Sequence, residues 1–223
     1  MRIMANNQLM PAMLPTFGRR LALRALGWIG WQLHYRPLPG PRGVLIVYPH
    51  TSNWDFIVGI LAKWALGIRC RWLAKTALFT GICGATLGHL FRAWGGEPIE
   101  RTNSTGAIAR LAGRIRAADE FWLVITPEGT RKYTDSWRSG FYYITLEAGV
   151  PLGLAEFDYA RKQIRLTEYI TLTGDKEQDL AAIRAVFAGC RGFHPEDAAP
   201  IDFRAREEAP ATGAPAARQP AGR

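Results

Sequence analysis

The feature that most constrains the fold of this chain is an apolar run that ends in a polar loop and is followed by a helix pattern. The run, Val44–Tyr48, is rich in β-branched residues and is typical of a buried strand. Phe56–Leu61 predicts the beginning of a helix. Between them, His50 and Asp55 stand five positions apart. The histidine therefore lies where a strand ends, in the kind of connection that carries function in many folds.

Strand and helix patterns alternate along the rest of the chain. This alternation predicts an α/β fold with a mostly parallel sheet flanked by helices, preceded by an N-terminal amphipathic helix. The predicted strands are Val44–Tyr48, Arg71–Ala74, Glu97–Arg101, Phe121–Ile125, Pro151–Phe157 and Gln163–Tyr169. Besides the helix that begins at Phe56, the predicted helices are Phe17–Leu33, Thr105–Ala118, Ser139–Ala148 and Lys176–Ala188.

Basic charge and tryptophan are concentrated in the first part of the chain. The net charge is +9, and Asp55 is the only carboxylate before Glu97. Six of the eight tryptophans lie in the same stretch. This combination suits an anionic membrane surface, although core tryptophans and solvated arginines explain part of it equally well. No nucleic-acid-binding motif is visible, and the bases alternate with Leu and Trp, so we expect no nucleic-acid partner.

The composition divides the chain into three parts. Residues 1–42 are basic, and Phe17–Leu33 places Arg20 and Arg24 on one face of a helix, which predicts an interfacial amphipathic segment rather than a membrane span. Residues 43–195 form the main domain. Residues 196–223 are rich in Ala, Pro and Gly and predict a disordered tail. We expect the protein to bind peripherally at the cytoplasmic face of the cell membrane.

Two of the most specific segments follow strand patterns. The first contains His50 and Asp55, and the second is Pro127–Arg131, which reads Pro-Glu-Gly-Thr-Arg. In this order they resemble the PlsC-type glycerolipid acyltransferases. His50, Ser52 and Asp55 match the family's His-x4-Asp signature, with Pro49 in place of the usual Asn. Pro127–Arg131 matches the third signature of that family in full.

Two weaker signatures of that family are also present. Arg101 matches the second signature, with Pro98 where the family has Phe. Val150 and Pro151 match the fourth signature, without its second proline. The resemblance covers about Gly43 to Glu156. It implies the activity of the family, which is the transfer of a fatty acyl group to a glycerolipid hydroxyl.

The resemblance assigns the base chemistry to His50 and Asp55. His50 is the general base for the acceptor hydroxyl, and Asp55 orients its ring. A carboxylate that fixes one ring nitrogen leaves the other free to take a proton. Backbone amides after His50 are the natural candidates for binding the oxyanion. On spacing alone, Ser52 and Asp55 also fit a helix-capping arrangement, and both explanations stay open.

The resemblance assigns a phosphate-binding role to a second set of residues. They are Arg101, Glu128, Gly129, Thr130 and Arg131. A guanidinium binds phosphate through two parallel hydrogen bonds. Gly129 allows close backbone approach, and Glu128 holds the loop or an arginine in place, because a carboxylate does not itself favour phosphate. Lys75 and Ser52 are further candidates, and Lys75 fits a solvated surface lysine as well.

The predicted reaction is O-acyl transfer from a thioester to a phosphate-bearing lysolipid such as lysophosphatidic acid. The donor is acyl-coenzyme A or acyl carrier protein, and a lyso-ornithine lipid is an alternative acceptor. A lipid ester hydrolase or a non-catalytic lipid-binding protein are competing classes. The sequence contains no Gly-x-Ser-x-Gly motif, which such a hydrolase would need for its nucleophile. A non-catalytic lipid-binding role does not explain why the motifs occur together. The cysteines and histidines lack metal-ligand spacing, so we expect no metal and no bound cofactor.

Overall fold

The computed structural model describes residues 16–76, 79–80, 88–99 and 104–203. Within these residues the chain forms one seven-stranded sheet and six α-helices. The strands are β1 Gln32–Tyr35, β2 Arg42–Tyr48, β3 Cys70–Lys75, β4 Gly96–Ile99, β5 Phe121–Ile125, β6 Leu152–Asp158 and β7 Gln163–Ile170. The helices are α1 Thr16–Trp28, α2 Trp54–Leu66, α3 His89–Ala93, α4 Ser104–Ala117, α5 Gly140–Ala148 and α6 Lys176–Phe187. A short 3₁₀ helix covers Pro195–Asp197.

The sheet is mixed but mostly parallel, which confirms the predicted α/β class. Its strand order is β1-β7-β6-β2-β5-β3-β4. Only the β6–β7 pair is antiparallel among the described strands. β2 lies in the middle, paired in parallel with β5 on one side and with β6 on the other. The carboxyl ends of these three strands therefore meet at one edge of the sheet.

The apolar run of β2 is buried on both faces of the sheet. Val44 and Ile46 point into a core cluster that includes residues of α4, α5 and α6. Leu45 points into a second cluster with residues of α1 and α2. A strand covered on both faces becomes continuously apolar instead of alternating, and this explains the composition of the run.

The N-terminal segment contributes both a helix and a strand. α1 ends at Trp28, and Gly30 then adopts a left-handed φ of 80°. β1 follows and pairs in parallel with β7, so Leu33 lies in a strand and not in the helix that the apolar pattern predicted. No helix in the described part of the chain is long and apolar enough to cross a membrane.

The ordered chain continues past the boundary at residue 195 that the composition indicated. Ala199 is buried, and its carbonyl accepts a hydrogen bond from the Tyr48 hydroxyl at 2.9 Å. The Asp202 carbonyl accepts one from the Trp137 amide at 2.6 Å. These long-range bonds hold residues that composition alone assigned to the tail. Residues 204–223 of the predicted tail lie outside the described residues.

The close packing of β2 against β5 gives a stability prediction. A Cβ at Gly43 would lie 2.2 Å from the ring of Trp122, its pairing partner in β5. We expect Gly43→Ala to lower the free energy of unfolding by about 1–3 kcal/mol, as overpacking does. Urea unfolding measures this loss. As a control, Gly113→Ala in α4 should be neutral or stabilising by about 0.5–1 kcal/mol, because alanine favours helix. Equal stability of Gly43→Ala and the wild type would contradict the prediction.

Candidate active site

The candidate site is built at the edge where β2, β5 and β6 end together. His50 follows β2, Glu128 follows β5, and Tyr159 follows β6 directly. Loops at the carboxyl ends of neighbouring parallel strands lie side by side, which is where α/β folds place their ligands. The strand pairing therefore brings three distant parts of the chain together.

His50 and Asp55 form a buried pair in the loop after β2. The Nδ1 atom of His50 lies 3.0 Å from Oδ2 of Asp55. The two side chains are 16% and 2% exposed, respectively. With Nδ1 donating to the carboxylate, Nε2 of the neutral ring carries a lone pair. The geometry thus provides an oriented base.

Asp55 also stabilises the beginning of α2. Its Oδ2 accepts a hydrogen bond from the Ser52 amide at 2.9 Å, and Ser52 Oγ accepts one from the Trp54 amide at 3.2 Å. The Asp55 carboxylate therefore bonds both His50 and the backbone that precedes α2, whereas the N-cap residue of that helix, Asn53, makes no side-chain cap hydrogen bond. Of the backbone amides after His50 that the sequence suggested for the oxyanion, those of Ser52 and Trp54 are already bonded within the loop.

The carboxylate of Glu128 bonds to the protein backbone. It accepts hydrogen bonds from the His50 amide at 2.6 Å and from the Ala199 amide at 3.1 Å. Burial raises the pKa of the Glu128 carboxyl, and the two amides partly offset that rise. Of the roles considered from the sequence, this geometry corresponds to holding a loop in place, and the loop is the one that carries His50.

Gly129 gives the loop after β5 its shape. Its φ is 65°, a left-handed value that favours glycine, and its amide closes a turn onto the Thr126 carbonyl at 3.0 Å. A Cβ at Gly129 would approach Nε of Arg138 to 2.7 Å. Thr130 and Arg131 follow, and both are exposed.

An open groove of about 370 Å³ lies between the loop that carries His50 and Asp55 and the segment after β5, although neither of those two residues lines it. Its walls come from the loop after β2, the segment after β5 and the C-terminal segment. The lining residues are Thr51, Ser52, Asn53, Thr130, Arg131, Lys132, His194 and Asp197. The groove thus joins the two most specific sequence motifs.

Three residues of the groove with ionisable side chains, Lys132, His194 and Asp197, were not assigned a role from the sequence. Lys132 directly follows the Pro-Glu-Gly-Thr-Arg segment, and that adjacency was a usable signal. His194 and Asp197 carried none. The His194 amide donates to Thr51 Oγ1 at 3.1 Å, and Asp197 accepts from the Tyr133 amide at 3.2 Å. Both contacts depend on where the C-terminal segment crosses the site.

The structure does not test two sequence candidates, Arg101 and Lys75. Arg101 lies outside the described residues, and so does the side chain of Lys75. The backbone of Lys75 pairs with Ile99 at the far side of the sheet. Among the described residues, no cluster of three or more His, Cys, Asp or Glu side chains is placed to hold a metal ion.

Comparison with known proteins identifies the family. The model of the acyltransferase family matches residues 32–153, more than half of the chain. No curated protein sequence matches significantly. Among solved structures, the 1-acyl-sn-glycerophosphate (LPA) acyltransferase PlsC from Thermotoga maritima is similar, with a TM-score of 0.50 and 16% identity over 75% of this chain and 74% of that chain. At that identity the likeness shows the fold. The chain therefore belongs to the acyltransferase family and has the fold of the PlsC-type glycerolipid acyltransferases.

Proposed function

We propose that this protein moves a fatty acyl group from a thioester donor to the hydroxyl of a phosphate-bearing lysolipid. The observation that carries the proposal is the 3.0 Å contact between His50 and Asp55, in a loop that forms one wall of a groove lined by Arg131 and Lys132. A base and a wall of basic side chains on neighbouring loops fit an acceptor that has both a hydroxyl and a phosphate. The donor is acyl-coenzyme A or acyl carrier protein, and the acceptor resembles lysophosphatidic acid.

His50 carries the proton through the reaction. Its Nε2 takes the proton of the acceptor hydroxyl, and the oxygen attacks the thioester carbonyl carbon. The tetrahedral intermediate collapses, the C–S bond breaks, and the leaving thiolate receives the proton from the imidazolium. Asp55 keeps the ring in one tautomer and stabilises its protonated form between the two transfers.

Replacement of the base tests the reaction. We expect His50→Ala to lower kcat at least roughly 10²-fold, because the proton transfer loses its positioned acceptor. The assay follows a labelled acyl group from acyl-coenzyme A or acyl carrier protein to a panel of lysolipids, including a lyso-ornithine lipid. His89→Ala, at an exposed histidine of α3, is the matched control and should keep full activity. A folded His50→Ala variant with wild-type activity would exclude the catalytic role.

The basic wall of the groove supports the phosphate assignment. Arg131 and Lys132 are both exposed in the groove, and Lys132 Nζ lies 3.5 Å from Asp197 Oδ2. An exposed contact of this length contributes little energy, so the ammonium can turn to a ligand. A guanidinium and an ammonium side by side suit a phosphate monoester.

Removal of the guanidinium tests the acceptor assignment. We expect Arg131→Ala to raise the KM for lysophosphatidic acid about tenfold, the size of one charge-assisted hydrogen bond, and to leave the KM for the donor unchanged. The preference of this variant for lysophosphatidic acid over monoacylglycerol, measured as the ratio of kcat/KM values, should fall by the same factor. Arg69→Ala is the control, because Arg69 precedes β3 at the opposite edge of the sheet. An unchanged preference in Arg131→Ala would argue against phosphate binding here.

The outer face of α1 supports binding to an anionic membrane surface. Phe17, Leu21 and Trp28 are exposed, and Trp28 reaches 87%. Arg20 and Arg24 share this face, because the five positions follow helical spacing. Exposed aromatic and basic side chains on one helix face suit the headgroup region of a bilayer. We place this contact at the cytoplasmic face of the cell membrane, where anionic lipids are enriched.

Point substitutions on this face test membrane binding better than deletion of the helix, because Leu26 of α1 is part of the core. We expect Phe17→Ser with Trp28→Ser to weaken co-sedimentation with phosphatidylglycerol vesicles at every salt concentration. Arg20→Gln with Arg24→Gln should weaken it mainly at low salt, because salt screens the charges. Unchanged co-sedimentation of both double variants would place the membrane contact elsewhere.

A further inference from the structure

Tyr159 adds a third side chain to the His50–Asp55 pair. It stands directly after β6, and its hydroxyl donates a hydrogen bond to Asp55 Oδ1 at 2.6 Å. The two residues are 104 positions apart in the chain. The parallel pairing of β2 with β6 is what brings them together.

The two oxygens of Asp55 have different partners. Oδ2 contacts His50 Nδ1 at 3.0 Å and the Ser52 amide at 2.9 Å. Oδ1 accepts the hydrogen bond from the Tyr159 hydroxyl. A buried carboxylate bonded through both oxygens cannot rotate about its terminal bond without losing hydrogen bonds. The tyrosine therefore fixes the plane of the carboxylate that orients the base.

Aromatic neighbours hold the ring of Tyr159 from two sides. Trp31 packs edge-on against it with ring centroids 4.7 Å apart, and Phe193 does so at 5.3 Å. The Tyr159 amide also donates to the Arg191 carbonyl at 2.8 Å. None of these residues lies within the range 32–153 that matches the family. The segments before and after that range thus support its central pair.

The hydroxyl of Tyr159 acts as a donor and not as an acid. Burial, together with the hydrogen bond and the charge of Asp55, raises the pKa of Tyr159 far above its usual value. A neutral donor on Oδ1 draws negative charge away from Oδ2, the oxygen that faces His50. Glu128, bonded to the His50 amide, is a further ionisable group that faces this pair from a neighbouring loop.

We propose that Tyr159 is a positioning residue for acyl transfer, which holds the carboxylate of Asp55 against His50 and moderates the basicity of the imidazole. This inference rests on the proposed function, since it assumes that His50 is the base. The tyrosine is not among the residues that line the groove. It acts through Asp55, and its removal should change both the rate and its dependence on pH.

Tyr159→Phe keeps the ring and removes the donor. We expect kcat to fall about tenfold, the size of a hydrogen bond to a charged group, with the acceptor KM unchanged within twofold. The acid limb of the kcat/KM profile should move to higher pH, because the charge left on Oδ2 stabilises the imidazolium. The NMR titration of the His50 ring should move in the same direction, and this readout does not depend on activity.

Tyr169→Phe is the matched control. Tyr169 lies in β7, and its hydroxyl donates a hydrogen bond to the Arg36 carbonyl at 2.7 Å, which this substitution removes. We expect this variant to be less stable than the wild type but to keep the kcat/KM pH profile and the NMR titration of the wild type. Wild-type kcat and pH profiles in Tyr159→Phe would overturn the inference.

A double-mutant cycle separates positioning from general damage. If Tyr159 acts through Asp55, Tyr159→Phe should have no further effect on the residual rate or on the His50 titration in an Asp55→Ala background. An effect of the same size in both backgrounds would overturn the inference. An active His50→Ala variant would instead overturn the proposed function, so the two failures are distinguishable.

Discussion

The site depends on the parallel pairing of β2 with β5 and with β6. This pairing fixes where three strands end, and so it determines that His50, Glu128 and Tyr159 lie within hydrogen-bonding reach of one another's loops. A slip of one residue would turn Val44 and Ile46 from one core cluster to the other face. The same slip would displace His50. The burial of an apolar strand therefore protects the geometry of a polar site.

Two buried carboxylates, Asp55 and Glu128, connect the loops at this edge. An ion buried without partners costs several kcal/mol, so both oxygens of each group need donors. Asp55 receives them from its own loop and from Tyr159. Glu128 receives them from the amides of His50 and Ala199. The bonds that make the burial of charge tolerable are the same bonds that hold the base in place.

Much of the fold was predictable where a local pattern decides the structure. β5 is found at the predicted residues Phe121–Ile125, because an apolar run ended by a turn has few alternatives. β1 was missed, since its first two residues, Gln32 and Leu33, fall at the end of the predicted helix Phe17–Leu33. Only pairing with β7 makes that segment a strand, and a turn at Gly30 separates it from α1. Such pairing is a long-range property that no window of sequence contains.

Spacing along the chain is enough to place His50 and Asp55 near each other, because five residues span only a short distance. The sequence also places Thr130 and Arg131 directly after a buried strand. The partners of Glu128 and the contact of Tyr159 with Asp55 depend on the fold, because these contacts join residues 78 and 104 positions apart. Local spacing follows from bond geometry, whereas contacts across such separations follow from strand order and register. The sequence therefore indicates which functional groups the site contains, and the fold determines which of their atoms come into contact.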